Sequence, residues 1–245
     1  MRSALEIIVP RRYVDRVLDR LGFFQFKSRF LRTRMRLPDG SEIILRHDEE
    51  RVIREIYAEG SYDKARISDG DTVVDVGANI GIFSIKAARQ TPSGRVVSVE
   101  PAPLNLDLLR ENVVRNHFDN VTIIEGAVSD HQGEASLFDH GEYGLYSIHQ
   151  KADRFTPVRL MTLDQIFQRE KISLCHVLKI DVEGEEVAVL RGASQALRVT
   201  NQVVMEITKI NEYPRQCAEL LANTGFSCSV EADTPGGILL YAKKI

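Results

Sequence analysis

Five carboxylates of this chain fall at or just beyond the ends of short apolar runs. Asp75 lies in Thr72 to Val76, Glu100 closes the run from Arg95, Asp181 and Glu183 follow Val177 to Ile180, and Glu206 lies near the end of Val203 to Ile207. If these runs are parallel strands, their carboxyl ends share one rim. An acidic rim suits a cationic ligand, and a carboxylate there can orient or deprotonate a hydroxyl. Asp181 is the first candidate for that task, with Glu183 and Glu206 behind it. Glu183 also reads as an acid favoured by the dipole of a following helix, and Glu206 as a residue that orients Lys179 or binds the N-terminal segment. Asp181 and Glu206 would also suit a divalent ion, but no complete ligand set can be read from spacing, so no metal is assigned. The six histidines are scattered without a zinc pattern.

The stretch Val73 to Phe83 reads as a buried strand that ends in a Gly-rich turn and opens a helix, which is where a nucleotide-like cofactor sits in a doubly wound sheet. Gly77 and Gly81 let backbone and ligand approach closely; the plainer reading is that the glycines only turn and Asp75 only caps the helix. Three residues separate the two glycines, so no G-x-G-x-x-G can be written, and no Gly-Lys-Ser/Thr supplies a P-loop. Glu100 follows Gly81 by nearly twenty residues, the position from which an acid at the neighbouring strand end accepts hydrogen bonds from a ribose diol. Gly126 and Ala127, after a third strand over Val121 to Ile124, are small enough for backbone to approach a flat ring, or simply need little volume.

Together these residues resemble class I S-adenosylmethionine-dependent methyltransferases, and more specifically the FkbM family. The resemblance rests on Asp75 to Gly81, on Glu100-Pro101 with Asn105, Leu109 and Asn116, on Leu178-Lys179-Ile180-Asp181-Val182-Glu183-Gly184 with Glu186, and on Leu190 to Ala193. Thr162-Leu163-Asp164 and Val203 to Ile207 also match, so the likeness spans about Glu55 to Ile207. It implies a Rossmann-like α/β fold, a seven-stranded mostly parallel sheet with helices on both faces, and S-adenosyl-L-methionine as cofactor. It further implies a cofactor site at Asp75, Gly77, Asn79, Gly81, Glu100, Pro101, Gly126 and Ala127, with Glu55 and Tyr62 bordering the methionine end, although Glu55 equally reads as a solvated helix acid. The implied acceptor is a hydroxyl of a small molecule, natural product or glycan. A peptide or small-molecule carboxylate, or a cofactor-binding protein without turnover, are the alternatives.

The elements that must position these residues follow from pattern. A chain of 245 residues with 43% hydrophobic content can bury one substantial core. We expect an N-terminal extension over 1–66 and a cofactor-binding domain over 67–245. The extension should hold an amphipathic helix on Tyr13, Val14, Val17, Leu18 and Leu21, then a hairpin turned by Pro38-Asp39-Gly40-Ser41, then a helix from near Asp48. Gln132 to Leu160 is polar and poorly periodic, with His140, Tyr143, Tyr146 and His149, and reads either as an acceptor-specificity loop or lid or as a solvent-exposed hairpin. Phe226 to Val230 and Ile238 to Ala242 should close the fold as an antiparallel pair. The formal charge of −3 gives no reason to expect nucleic acid, although residues 1–36 carry about +7. The three cysteines show no paired spacing, and no signal peptide or membrane span is read near the N-terminus, so a cytoplasmic setting is expected. Oligomeric state is not encoded in these patterns.

Overall fold

The computed structural model describes residues 32–46, 49–139, 146–148, 151–210, 212–233 and 237–245. The expected helix on Tyr13 to Leu21 lies outside them, as do His140, Tyr143 and His149. Thr72–Val76 (β3) and Cys175–Ile180 (β10), β-branched and apolar apart from a single charge in each and a histidine in β10, lie side by side in the middle of a sheet. Arg95–Glu100 (β4) and Val121–Glu125 (β5) extend it on one side, Thr200–Thr208 (β11) on the other, all parallel. Phe226–Asp233 (β12) and Gly237–Lys244 (β13) add the expected antiparallel pair, with β13 inserted against β11. The order is therefore β12-β13-β11-β10-β3-β4-β5, and the winding reverses direction between β3 and β10. Ligands bind at the carboxyl ends of such a switch point.

Helices cover both faces. Ile82–Gln90 (α2) follows the Gly-rich turn, and Pro103–Arg115 (α3) starts with a proline whose missing N–H costs nothing in a first turn. Leu163–Arg169 (α4) opens with a reciprocal cap between Thr162 and Gln165, and Glu186–Arg191 (α5) and Tyr213–Asn223 (α6) complete the layers. Ahead of the sheet, the helix expected from near Asp48 runs as a short α-helix, Glu50–Ile53 (α1), that widens into a π-helix over Arg54–Glu59. Wide turns of this kind recur at functional sites, and this one carries Glu55.

The hairpin forms as read, with Arg32–Arg36 (β1) against Glu42–Arg46 (β2). Its outer edge is satisfied by two asparagines one turn apart, Asn112 on α3 and Asn116 at its C-cap. Asn112 accepts from the Ile44 amide at 2.6 Å and donates to the carbonyls of Ile44 and Ile80, while Asn116 exchanges the same pair of bonds with Glu42. Ile43 and Leu45 are fully buried in one cluster with Val73, Ile85 and Val96.

The segment read as irregular instead forms a second, smaller β-sheet. Ala127–Val128 (β6), Gly133–Asp139 (β7), Tyr146–Ser147 (β8) and Arg154–Met161 (β9) pair in the order β6-β9-β7-β8. Within Gln132 to Leu160, among the described residues, Leu137, Val158 and Leu160 are the buried apolar side chains, so the alternation is too sparse to announce a strand.

Asn112, itself fully buried, pairs three backbone groups, of which the Ile80 carbonyl is buried and the two of Ile44 are half-buried. Leaving a buried donor or acceptor unpaired costs about 1–3 kcal/mol, so Asn112→Ala should lose at least about 2 kcal/mol in denaturant unfolding. An unchanged midpoint would mean that the hairpin does not depend on α3 for its edge.

Candidate functional site

The switch point is built around one buried charge. Lys179 in β10 stands opposite Asp75 in β3, which stands opposite Ser98 in β4. The Lys179 Nζ lies 3.1 Å from Asp75 Oδ1 and donates to the Gly77 carbonyl at 2.8 Å. Ser84 Oγ donates to the other Asp75 oxygen at 2.6 Å and lies 2.8 Å from Ser98 Oγ. Burial alone would favour a neutral amine at Lys179, but the carboxylates of Asp75 and Asp181 together outweigh it and hold the ammonium above its ordinary range.

Beyond this rung the chain turns sharply. A Cβ on Gly77 would lie 1.8 Å from the Asp181 carbonyl oxygen, so only glycine lets β3 and β10 end against each other. Asn79 and Glu183, at the two strand ends, both hold left-handed backbone at φ 52° and 51°. Such conformations in non-glycine residues cost free energy and cluster where ligands are clamped. The buried Asn79 Oδ1 accepts no hydrogen bond among the described residues.

Two cavities meet at this turn, sharing Gly77, Asn79, Asp181 and Glu183. The first is lined by Glu100, Pro101, Asn105, Gly126, Ala127 and Val128, and by Leu137, Tyr146, Ser147 and Ile148. Glu100 accepts from the amides of Asn79 (2.8 Å) and Ala102 (2.9 Å) and from Asn105 Nδ2 (3.0 Å). A carboxylate has about four acceptor positions, so one remains on Oε2 for a hydroxyl. Burial raises its pKa against the pull of those three donors. Asn105 is held in turn by Arg46, which is ion-paired to Glu49 in the interior, so the hairpin reaches the Glu100 network through two side chains.

The second cavity is lined by Arg51, Glu55, Tyr62, Lys179, Asp181, Glu183 and Glu206. Tyr62 donates to Asp181 Oδ2 at 3.1 Å, and Lys179 lies 3.4 Å from the same oxygen. Burial and the neighbouring carboxylates, Asp181 foremost, push Glu55 above its ordinary range and Glu206 up to about 7. The same causes act on Glu183, also pushed up to about 7, but its side chain is open to solvent, which screens the rise; Glu206, half-buried, is the firmer case. A broader, mixed-charge depression with Asp71, His176 and Gln202 sits at the opposite, amino ends of the strands, away from every residue of the turn.

Most sequence-read site residues thus converge, but two do not face either cavity. Asp75 is fully buried and committed to Lys179 and Ser84, because a carboxylate inside a two-sided sheet must be paired there. Gly81 sits behind the turn at φ 92°, where a Cβ would meet Leu109 at 2.5 Å. Of the 132–160 segment, Leu137 and Tyr146 to Ile148 wall the Glu100 cavity. Among the described residues no group of three His, Cys, Asp or Glu is arranged to hold a metal ion. Lys179 was the residue to notice in the sequence: like Asp75, it is a lone charge in a strand buried on both faces, and two such charges call for each other. Asn105 entered only through the family likeness, and Arg46 and Arg51 carry no such signal.

An orphaned Asn79 oxygen, a glycine cradle and a buried strand-end carboxylate beside an acidic cavity fit a nucleoside that carries a cationic amino-acid arm. With the strand order, they define a class I S-adenosylmethionine-dependent methyltransferase. The solved precorrin-6y C5,15-methyltransferase of Geobacter metallireducens GS-15 has the same fold, with a TM-score of 0.52 at 15% identity, over 76% of this chain and 87% of its own. Aeropyrum pernix fibrillarin, solved with natively bound S-adenosyl-L-methionine, matches at TM-score 0.50 and 15% identity over 85% and 92%. The methyltransferase FkbM domain model matches residues 75–228, and the chain belongs to that family. Its curated relatives include the 31-O-demethyl-FK506 methyltransferase FkbM of Streptomyces tacrolimicus, 28% identical over 81% of this chain and 90% of that one. The hexuronic acid methyltransferase AglP of Haloferax volcanii is 27% identical over 74% and 71%.

A carboxyl raised in the folded state binds more protons there than in the unfolded chain between its ordinary pKa and its raised one. Glu206 should therefore favour the ligand-free fold below about pH 4.5 and lose that contribution as pH rises through about 7. Glu206→Gln, neutral throughout, should unfold at higher denaturant than wild type at pH 8, and the difference should shrink toward pH 5. A difference that is constant with pH would mean that Glu206 titrates normally.

Proposed function

We propose that the chain transfers a methyl group from S-adenosylmethionine to a hydroxyl oxygen of a small molecule, natural product or glycan. The observation that carries the hydroxyl reading is the sign of the charge beside the turn. Glu55, Asp181, Glu183 and Glu206 line one cavity, and its ammonium already lies between Asp75 and Asp181. A neutral hydroxyl enters that field and finds acceptors. A carboxylate would meet like charges, with Arg51 the one other cation among the described lining residues.

S-adenosylmethionine supplies an electrophilic methyl on a cationic sulfur. The chain's part is to bring the acceptor oxygen into line and to take its proton as the carbon–oxygen bond forms and the sulfur–carbon bond breaks. Asp181 suits this task because Tyr62 and Lys179 both hold Oδ2, while Oδ1 accepts no hydrogen bond among the described residues. Glu183 and Glu206, pushed up to about 7, are the secondary proton acceptors, since a base works best near the working pH. In this reading Glu100 takes the ribose, Gly77 and Asn79 border the amino-acid arm with Glu55 and Tyr62, and Pro101, Gly126 and Ala127 flank the adenine beneath Tyr146.

The relatives' names support an oxygen-rich acceptor, one being a 31-O-demethyl-FK506 methyltransferase and another acting on a hexuronic acid. A hexuronic acid also carries a carboxyl, which keeps carboxylate methylation as a second reading. Product stability separates the two: an ester is lost in mild alkali, whereas an ether survives.

Asp181→Asn keeps size and removes basicity, so single-turnover transfer should fall roughly 10²–10⁴-fold with cofactor binding largely intact. A wild-type rate would sink the assignment. Glu100→Ala should weaken S-adenosylhomocysteine by about 0.5–1.5 kcal/mol in calorimetry. Tyr146→Ala should weaken it too if the inserted sheet covers the nucleoside; unchanged affinity would return that segment to the acceptor alone.

A further inference from the structure

We propose that Lys179 is a positioning residue for the transfer, acting through Asp181; the inference rests on the reading of Asp181 as the group that holds the acceptor. An ammonium has three donors. Here the ammonium donates to the Gly77 carbonyl in the turn and lies within ion-pair distance of Asp75 inside β3 and of Asp181 at the end of β10. The side chain is almost wholly buried, so water does not compete for those donors.

A buried ion pair is a poor device for stability, since apolar residues of similar volume often serve as well or better. What this one supplies is geometry. Lys179 and the Tyr62 hydroxyl converge on one oxygen of Asp181 and fix its rotamer, leaving the other oxygen to face the acceptor. The same ammonium grips the Gly77 carbonyl, so the carboxylate that orients the acceptor and the turn beside the cofactor are set by one group. Asp75 balances the ammonium, which leaves Asp181 its own negative charge. The Tyr62 ring, 5.6 Å from Nζ and packed edge-on against Phe83 at 5.5 Å, closes the remaining side.

Removing Lys179 alone would strand Asp75, so the test uses the charge-balanced pair Asp75→Asn/Lys179→Met, in wild-type and Asp181→Asn backgrounds. Transfer is followed in single turnover with methyl-labelled S-adenosylmethionine and the most active hydroxyl acceptor from a panel of sugars, uronic acids and macrolides. The pair should fold and bind S-adenosylhomocysteine within about 3-fold of wild type, yet slow transfer about 10–100-fold, the scale of a small misplacement of reacting groups. In the Asp181→Asn background the same pair should cost less than about 3-fold more, because Lys179 acts through the carboxylate already removed. A wild-type rate in the folded variant, an equal loss in both backgrounds, or a loss of cofactor binding that accounts for the rate would each overturn the proposal. Should the pair fail to fold, Lys179→Arg keeps a charge beside Asp75 and enters the same cycle with the same readings. Asp181→Asn transferring at the wild-type rate would overturn the underlying reading of Asp181 as well, and so tells the two failures apart.

Discussion

A charge placed in the middle of a parallel sheet has no water to turn to, and breaking a buried pair by removing one partner costs on the order of 3–5 kcal/mol. In this fold that constraint acts on register. Lys179 and Asp75 can pair because β10 and β3 align them directly, amid Val74, Val76, Leu178 and Ile180, all essentially inaccessible. A slip of one residue would set each charge against an apolar neighbour and turn every side chain to the wrong face. The ion pair therefore fixes how far the two strands run past each other. It follows that the backbone of Gly77 and Asp181 must meet at the rim, closely enough that no side chain fits between them.

From that contact the strain of the two turns follows. Asn79 and Glu183 adopt left-handed backbone within a few residues of the meeting point, and each turn is pinned by a buried glutamate. Glu100 receives the Asn79 amide, and Glu186 receives the Gly184 amide together with the Thr208 hydroxyl. Gly77 and Ala78 both donate to the Val99 carbonyl, which ties the first turn to β4 as well. A turn fixed this way needs no ligand to hold its shape, and preorganisation reduces what binding must spend on ordering.

What the sequence revealed and what it concealed divide along physical lines. The strand ends and the turn were legible because apolar runs, glycines and lone acids are local signals, and the Lys179–Gly184 block resembles a family by residue type alone. Asp75 was legible as an anomaly but not in its role, since its partner lies more than a hundred residues away. The inserted sheet was hidden because β7 and β9 bury only a few side chains, the first four residues of β9 all being exposed. Nor could spacing show that Asn112 and Asn116 would treat the edge of β2 as a neighbouring strand treats it. Amide side chains on a helix carry no directional signal until their partner is known.

The acid cavity poses a last question of charge. Glu55, Glu183 and Glu206 crowd around Asp181, and burial together with that repulsion raises their pKa values, most firmly at Glu206. The ammonium of Lys179, shared with Asp75, relieves it only in part. A cationic ligand can relieve it further, and its arrival makes ionised carboxylates less costly. On the proposed reading, loss of the methyl leaves the sulfur neutral and withdraws that support, so these residues would hold the product less firmly than the charged co-substrate. Such discrimination would need no moving part: it would follow from placing several acids around one lysine whose charge is shared with Asp75 inside the sheet.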